Sequence, residues 1–125
     1  MKISYEIFDV EGFKKRPVIV FENPAYIGLE DLLNIDSSLI SLTDIMQKIV
    51  KVEKKQSSFE AIGNERVLLE IEKEYATISD MFEGLIEADE LYPPICIKTL
   101  KLKKIIVEWE EIRKLLDWMI KNNCN

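Results

Sequence analysis

Carboxylates are the side chains of this chain that could do chemistry, because its 125 residues include 23 Asp and Glu but no histidine. Neighbouring acids such as Glu30 and Asp31, or Asp89 and Glu90, could share the acid and base roles of a glycosidase. Adjacent side chains usually point apart, however, and the sequence shows no aromatic-rich cleft for a sugar. The carboxylates therefore do not predict a hydrolase.

Nucleophilic and metal-dependent chemistry is also disfavoured. A Ser or Cys nucleophile normally relies on a histidine or an activated lysine. Cys96 lies in an apolar run and is predicted to be a packed core thiol. It is 28 positions from Cys124, which is no zinc-ligand spacing. Residues 80–84 lack the alternating oxygen ligands of an EF-hand loop. We expect no enzymatic activity, no metal and no cofactor, and two unpaired thiols in a reducing compartment.

The composition predicts one soluble domain that spans the whole chain, residues 1–125. A net charge of −6 disfavours direct binding to nucleic acid or to an anionic membrane, since both need a basic surface. The amino terminus lacks the features of a signal peptide, and no window is apolar enough to span a bilayer. We therefore expect a cytoplasmic protein.

The acids are unevenly distributed along the chain. Between Lys73 and Lys98 there are six acids and no cation, and residues 17–47 hold five acids, again with no Lys or Arg. The first interval also carries apolar side chains, among them Phe82, Leu91 and Tyr92. One interpretation is an element with one buried and one solvated side. The other is a binding surface with apolar anchors inside an acidic rim, which suits a cationic partner protein.

Apolar periodicity predicts the elements that position these acids. Period-two alternation predicts strands at 2–9, 17–21, 57–62, 66–72, 75–80 and 95–102, with Lys14, Lys15 and Arg16 at a solvated hairpin tip. A helix is predicted to begin after Ser41, and a long one over 103–121 with Ile105, Trp109, Ile112, Leu116 and Met119 on one stripe. A short helical turn is predicted around Leu29, Leu32 and Leu33, limited by Gly28 and by residues 36–38. The predicted fold is α+β, an antiparallel β-sheet with an amphipathic middle helix and a long C-terminal helix packed on one face.

Residues 59–83 carry a family resemblance. The run Phe59-Glu60-Ala61-Ile62-Gly63-Asn64-Glu65-Arg66-Val67-Leu68-Leu69-Glu70-Ile71 continues to Ala76-Thr77-Ile78-Ser79-Asp80-Met81-Phe82-Glu83. In this pattern a Gly-Asn turn precedes an apolar strand, and a second strand ends in an acidic and aromatic element. It resembles the immunity proteins that accompany contact-dependent growth inhibition toxins and related polymorphic toxins. It is also similar to a small uncharacterised cytoplasmic family of comparable length.

The resemblance implies a cytoplasmic protein that neutralises the carboxyl-terminal domain of a cognate toxin by binding it, without chemistry. Many such toxins are nucleases with basic clefts, and the resemblance implies an RNase that cleaves tRNA as the expected partner. The protein is expected to be a monomer alone and a heterodimer with the toxin. The residues hypothesised to contact the toxin are Asp80, Glu83, Glu87, Asp89 and Glu90 for charge, Phe82, Leu91 and Tyr92 as anchors, and Glu30 and Asp31 as a second patch.

Two other functions stay open at this stage. A cytoplasmic adaptor or regulatory protein could use the same surface on a different basic protein, and its gene need not lie beside a toxin gene. A small enzyme with a carboxylate pair would lose turnover, but keep binding, when one acid is changed to its amide.

Overall fold

The computed structural model describes residues 1–34 and 40–122. Within these residues, six strands form two antiparallel sheets, and three α-helices pack with them. The strands are β1 (Ile3–Phe8), β2 (Arg16–Phe21), β3 (Glu60–Gly63), β4 (Val67–Ile71), β5 (Tyr75–Asp80) and β6 (Ile95–Lys98). The helices are α1 (Ile27–Leu33), α2 (Leu42–Glu53) and α3 (Thr99–Asn122), with short 3₁₀ turns at Pro24–Tyr26 and Ala88–Glu90.

The larger sheet is a meander in which β3, β4, β5 and β6 follow one another, each antiparallel to its neighbour. Alternate residues of its two central strands are buried, namely Val67, Leu69, Ile71, Ala76, Ile78 and Asp80. All three helices contact this sheet, and their apolar side chains join those of the strands in one hydrophobic core. The predicted α+β architecture is confirmed.

The smaller sheet is the predicted amino-terminal hairpin of β1 and β2. No strand from the described part of the chain pairs with the outer edge of β2, and side chains of the α1 region take that place. Asn34 accepts a hydrogen bond from the Ile19 N–H at 2.8 Å and donates one to the Ile19 carbonyl at 2.9 Å. The carboxylate of Glu30 accepts from the Phe21 N–H at 2.9 Å. The hairpin is therefore tied to α1 through its backbone.

The predicted middle helix is confirmed as α2. Ser41 is its N-cap, and a capping box joins Ser41 and Asp44, because each side chain accepts from the other residue's backbone N–H. The apolar stripe packs inward, with Leu42, Ile45, Ile49 and Val52 buried. The short helix α1 confirms the predicted turn around Leu29, but Gly28, predicted to limit it, lies inside the helix. Residues 36–38, the other predicted limit, lie outside the described residues.

The predicted strand over 95–102 is wrong in its second half, because α3 begins at Thr99. The buried Thr99 donates from its hydroxyl to the Glu72 carbonyl at 2.6 Å, and its N–H donates to the Glu74 carbonyl at 3.0 Å. These bonds to the β4–β5 turn end the strand. Leu102 then packs on the same side as Ile105, so the helical pattern starts earlier than predicted.

The predicted apolar stripe of α3 is buried only over its first half. Trp109 is 1% exposed, whereas Met119 is 44% exposed. The helix has 24 residues and is about 36 Å long, and the six-residue strands are about 20 Å long. The helix therefore extends past the sheet that could cover its last turns.

Cys96 is exposed, so the prediction of a packed core thiol is wrong. Its neighbour Ile97 faces the helices and is buried, and successive side chains of a strand point to opposite faces. The apolar run around Cys96 therefore covers both faces of the outermost strand β6, not one buried segment. Cys124 lies outside the described residues.

Candidate functional site

The segment that joins β5 to β6 contains the acids singled out above, and residues 81–92 are named here the acidic loop. The carboxylate residues Glu83, Glu87, Asp89 and Glu90 are all exposed. Two large apolar side chains of the same loop are exposed as well, Met81 by 41% and Leu85 by 76%. The loop therefore presents acids and uncovered apolar groups on the same segment.

A single arginine at the start of β4 connects the two ends of this loop. Arg66 Nε and Nη2 both donate to Asp80 Oδ2, at 3.0 and 2.9 Å, and Nη2 also donates to the Glu90 carbonyl at 2.8 Å. The Arg66 carbonyl accepts from the Met81 N–H at 2.7 Å. The first residue of the loop and one near its end are thus bound to the same residue.

Two aromatic rings complete the surroundings of this arginine. The Arg66 guanidinium carbon lies 5.0 Å from the centre of the Phe82 ring and 3.8 Å from that of Tyr92. Both distances are within the range of a cation–π interaction. We call Arg66, Asp80, Phe82 and Tyr92 the Arg66 cluster.

The position of Arg66 follows from the turn before it. The Asn64 side chain accepts from the N–H groups of Arg66 and Val67, at 2.9 and 2.7 Å, and so fixes the entry into β4. In the register of the two strands, Val67 is opposite Asp80. The predicted Gly-Asn turn therefore aligns Arg66 with the end of β5.

Asp80 is the acceptor at the centre of the cluster. Besides the Arg66 bonds, its carboxylate accepts from the N–H groups of Phe82 and Tyr92, each at 2.9 Å. These bonds, those from Arg66 first, lower the pKa of Asp80 from 3.8 to about 2 although burial opposes the charge. The side chain is 3% exposed. Asp80 therefore stabilises the loop from inside and does not contribute to the outward charge.

The second predicted patch lies beside the same cluster. Burial raises the pKa of Asp31 and that of Tyr92. The positive charge of Arg66 acts to lower both pKa values, and the negative charge of Asp80 acts to raise them. A methyl group placed on Gly28 would lie 3.7 Å from the Tyr92 ring. Helix α1 therefore approaches the loop closely enough to bring Asp31 to it, while the Glu30 carboxylate points to the Phe21 backbone.

The predicted contact residues thus divide into two groups. The acids at 83, 87, 89 and 90 are exposed. The second group is at least half-buried or bonded inside the protein, and comprises Asp80, Phe82, Leu91, Tyr92, Glu30 and Asp31. Sequence reasoning missed Arg66, which organises both groups. The pairing register of β4 with β5 is the signal that could have identified it, since that register places Arg66 beside the final acid of β5.

The described residues contain neither a group of metal ligands nor a buried polar side-chain atom without a partner. Within residues 1–34 and 40–122, no group of three acids or cysteines could hold a metal ion. Over the same residues, every buried polar side-chain atom has a hydrogen-bond partner. No helix among the described residues is both long and apolar enough to cross a membrane.

Comparison with known proteins gives no relative from which a function could be transferred. No family model matches the chain, and no curated protein or solved structure is significantly similar to it. Inference about function therefore depends on the acidic loop and on its attachment to the sheet.

Proposed function

We propose that this protein is a non-enzymatic inhibitor that binds a basic partner protein through the acidic loop, and that the partner is the toxic domain of a polymorphic toxin, an RNase. The observation that carries the proposal is the attachment of an exposed acidic and apolar loop to a rigid sheet by the Arg66 cluster.

The composition of the loop supports a basic partner. The loop carries four exposed carboxylates together with the exposed Met81 and Leu85, and no Lys or Arg occurs between Lys73 and Lys98. Such a surface attracts a cationic protein and raises the rate of encounter, while like-charged proteins are repelled. Leu85 is exposed and lies between Glu83 and Glu87 in the sequence, so it offers an apolar contact among the acids.

The attachment of the loop supports tight binding. A free loop loses conformational entropy when a partner orders it, and this loss weakens association. Here the hydrogen bonds of Asp80 and Arg66 order the loop before a partner arrives. The protein is therefore suited to inhibition by occupation of a site, which requires a long-lived complex.

The nature of the partner follows from charge and from the resemblance of residues 59–83 to immunity proteins. A nuclease binds phosphates and so needs a basic cleft. Rigid carboxylates can occupy that cleft in place of the nucleic acid. The resembling segment includes Arg66, Asp80 and Phe82, three of the four residues in the Arg66 cluster.

Co-expression with the toxin domain encoded directly upstream of this gene tests the proposal. We expect rescue of growth and a purified one-to-one complex. If neither is observed, the proposal is refuted. A complex without rescue would instead indicate an adaptor or regulatory protein. A variant with Glu83, Glu87 and Asp89 changed to Lys should give weaker rescue and less of the complex than the natural protein.

A further inference from the structure

A cavity of about 420 Å³ lies between the tip of the β1–β2 hairpin and α3, at a site distinct from the acidic loop. Its volume is in the range of small-molecule sites, about 300–1,000 Å³. None of the residues of the acidic loop lines it. It therefore calls for an explanation separate from the proposed function.

The lining of this cavity is basic, in contrast to the rest of an acidic protein. Lys14, Lys15 and Arg16 come from the hairpin, and Arg113 comes from α3. Among the described residues that line the cavity, Asp117 is the only acid. At the hairpin, Lys15 Nζ lies 3.7 Å from Asp9 Oδ2. The hairpin tip, predicted to be solvated, thus lies across the cavity from Arg113, which is 97 positions after Arg16 in the sequence.

Aromatic rings form another part of the lining. Phe13 and Phe8 are in edge-to-face contact with ring centres 6.3 Å apart, and the Arg16 guanidinium lies 5.1 Å from the Phe8 ring centre. Phe13 is 68% exposed, which leaves most of its surface without a protein contact. The buried Trp109 also lines the cavity. Cations and uncovered aromatic surface therefore meet in one concave site.

We propose that this cavity binds a small aromatic phosphate, with the phosphate against Lys14 and Arg113 and the ring against Phe13. A phosphate monoester carries a charge of about −1.5 to −2 at pH 7, compared with about −1 for a carboxylate. Several cations around one cavity favour the more highly charged group. The planar guanidinium and the flexible lysines can donate to all of its oxygens.

Phenyl phosphate is the minimal probe of this site, and NMR titration of the full chain is the measurement. We expect saturable shifts at the amides of Phe13, Val18 and Arg113. Inorganic phosphate lacks the ring, and benzoate has a single charge. Each should bind at least about tenfold more weakly than phenyl phosphate. No saturable shift at these amides, or equal affinity for phosphate or benzoate, would overturn the proposal.

A pair of double variants tests which cations act. Lys14→Gln with Arg113→Gln should weaken phenyl phosphate about tenfold or more, because it removes two charge-assisted bonds. Lys101→Gln with Lys104→Gln removes the same charge from exposed positions of α3 outside the cavity, and should leave the affinity unchanged. Asp117→Asn should tighten binding. Equal effects of the two double variants would show non-specific attraction and would also overturn the proposal.

Discussion

Arg66 and Asp80 are joined through a single carboxylate oxygen, since Nε and Nη2 of Arg66 both lie within 3.0 Å of Oδ2. The other oxygen, Oδ1, accepts from the Phe82 N–H. With the Tyr92 N–H, which also donates to Oδ2, the Asp80 carboxylate accepts from four donors. The acid is therefore an acceptor at every contact, and any donor placed there meets another donor.

Replacement of Asp80 by Asn should lower the midpoint of thermal unfolding clearly. The amide keeps the size of the side chain but places an NH₂ group toward the N–H donors of Phe82, Tyr92 or Arg66, and it removes the charge that pairs with the arginine. Asp89→Asn, at an exposed position of the same loop, should leave the midpoint unchanged. Equal midpoints for the two variants would show that the Arg66 cluster does not stabilise the fold.

The contribution of Asp80 should also depend on pH. Its folded-state pKa of about 2 is below its ordinary value of 3.8, so its stabilisation is complete above about pH 4 and is lost as the pH falls through 2. In urea unfolding between pH 7 and pH 2, the stability difference between the natural protein and Asp80→Asn should stay constant down to about pH 4 and then shrink. A difference that persists unchanged at pH 2 would contradict the assigned pKa.

Charge reversal in the acidic loop should slow binding to the toxin domain. Changing Glu83, Glu87 and Asp89 to Lys is expected to lower the association rate about tenfold or more at low salt, because electrostatic steering is lost. The measurement is stopped-flow association with a catalytically inactive toxin domain over a series of salt concentrations.

The matched control for that experiment reverses three exposed acids elsewhere, Glu72, Glu74 and Glu111. It changes the net charge of the protein by the same amount. The association rate should fall much less than with the loop variant. If both variants slow association equally, overall charge and not the loop directs the encounter.

Local pattern was sufficient to predict the meander and α2, because alternation in 67–71 and the capping chemistry of Ser41 depend on neighbours in the sequence. The role of Asp80 depends on distant residues. Its donors Arg66 and Tyr92 are 14 and 12 positions away, so they become apparent only once the register of β4 and β5 is known. An isolated acid is usually exposed, and that expectation placed Asp80 on the surface.

Cys96 and Thr99 show the same limit at β6. Both lie in a segment whose apolar alternation is compatible with a strand, yet Cys96 is exposed because its side chain lies on the face of the edge strand β6 opposite to that of the buried Ile97. The bonds of Thr99 to the Glu72 and Glu74 carbonyls decided where α3 begins. Neither the edge nor these bonds is a local property of the sequence.

Asn34→Asp should destabilise the attachment of β2 to α1. The carboxylate can still accept from the Ile19 N–H, but it loses the donor to the Ile19 carbonyl and places a negative charge beside that oxygen. We expect a loss of about 1–3 kcal/mol in the free energy of unfolding and faster hydrogen exchange at Ile19 and Phe21. Asn23→Asp is the control, because Asn23 acts only as an acceptor at its cap and Asp performs that role equally well. Equal losses at both positions would contradict this account.

The two tryptophans of α3 offer a matched test of how the helix is fixed. Trp109 is 1% exposed, its ring stacks on Tyr5 with centres 5.9 Å apart, and its Nε1–H donates to the Leu33 carbonyl at 2.9 Å. That carbonyl belongs to the last turn of α1, where no backbone N–H of the same helix is available to it. Trp109 therefore connects α3 to the end of α1.

Trp109→Phe should cost about 1–3 kcal/mol of unfolding free energy through the unpaired Leu33 carbonyl alone, and the smaller ring leaves a void that adds to the loss. Trp118 is 61% exposed, and Trp118→Phe should change the stability by less than about 0.5 kcal/mol. Urea unfolding followed by far-ultraviolet circular dichroism measures both variants without dependence on tryptophan fluorescence. A Trp118→Phe loss as large as that of Trp109→Phe would mean that the last turns of α3 are covered in solution, contrary to the exposure found for them.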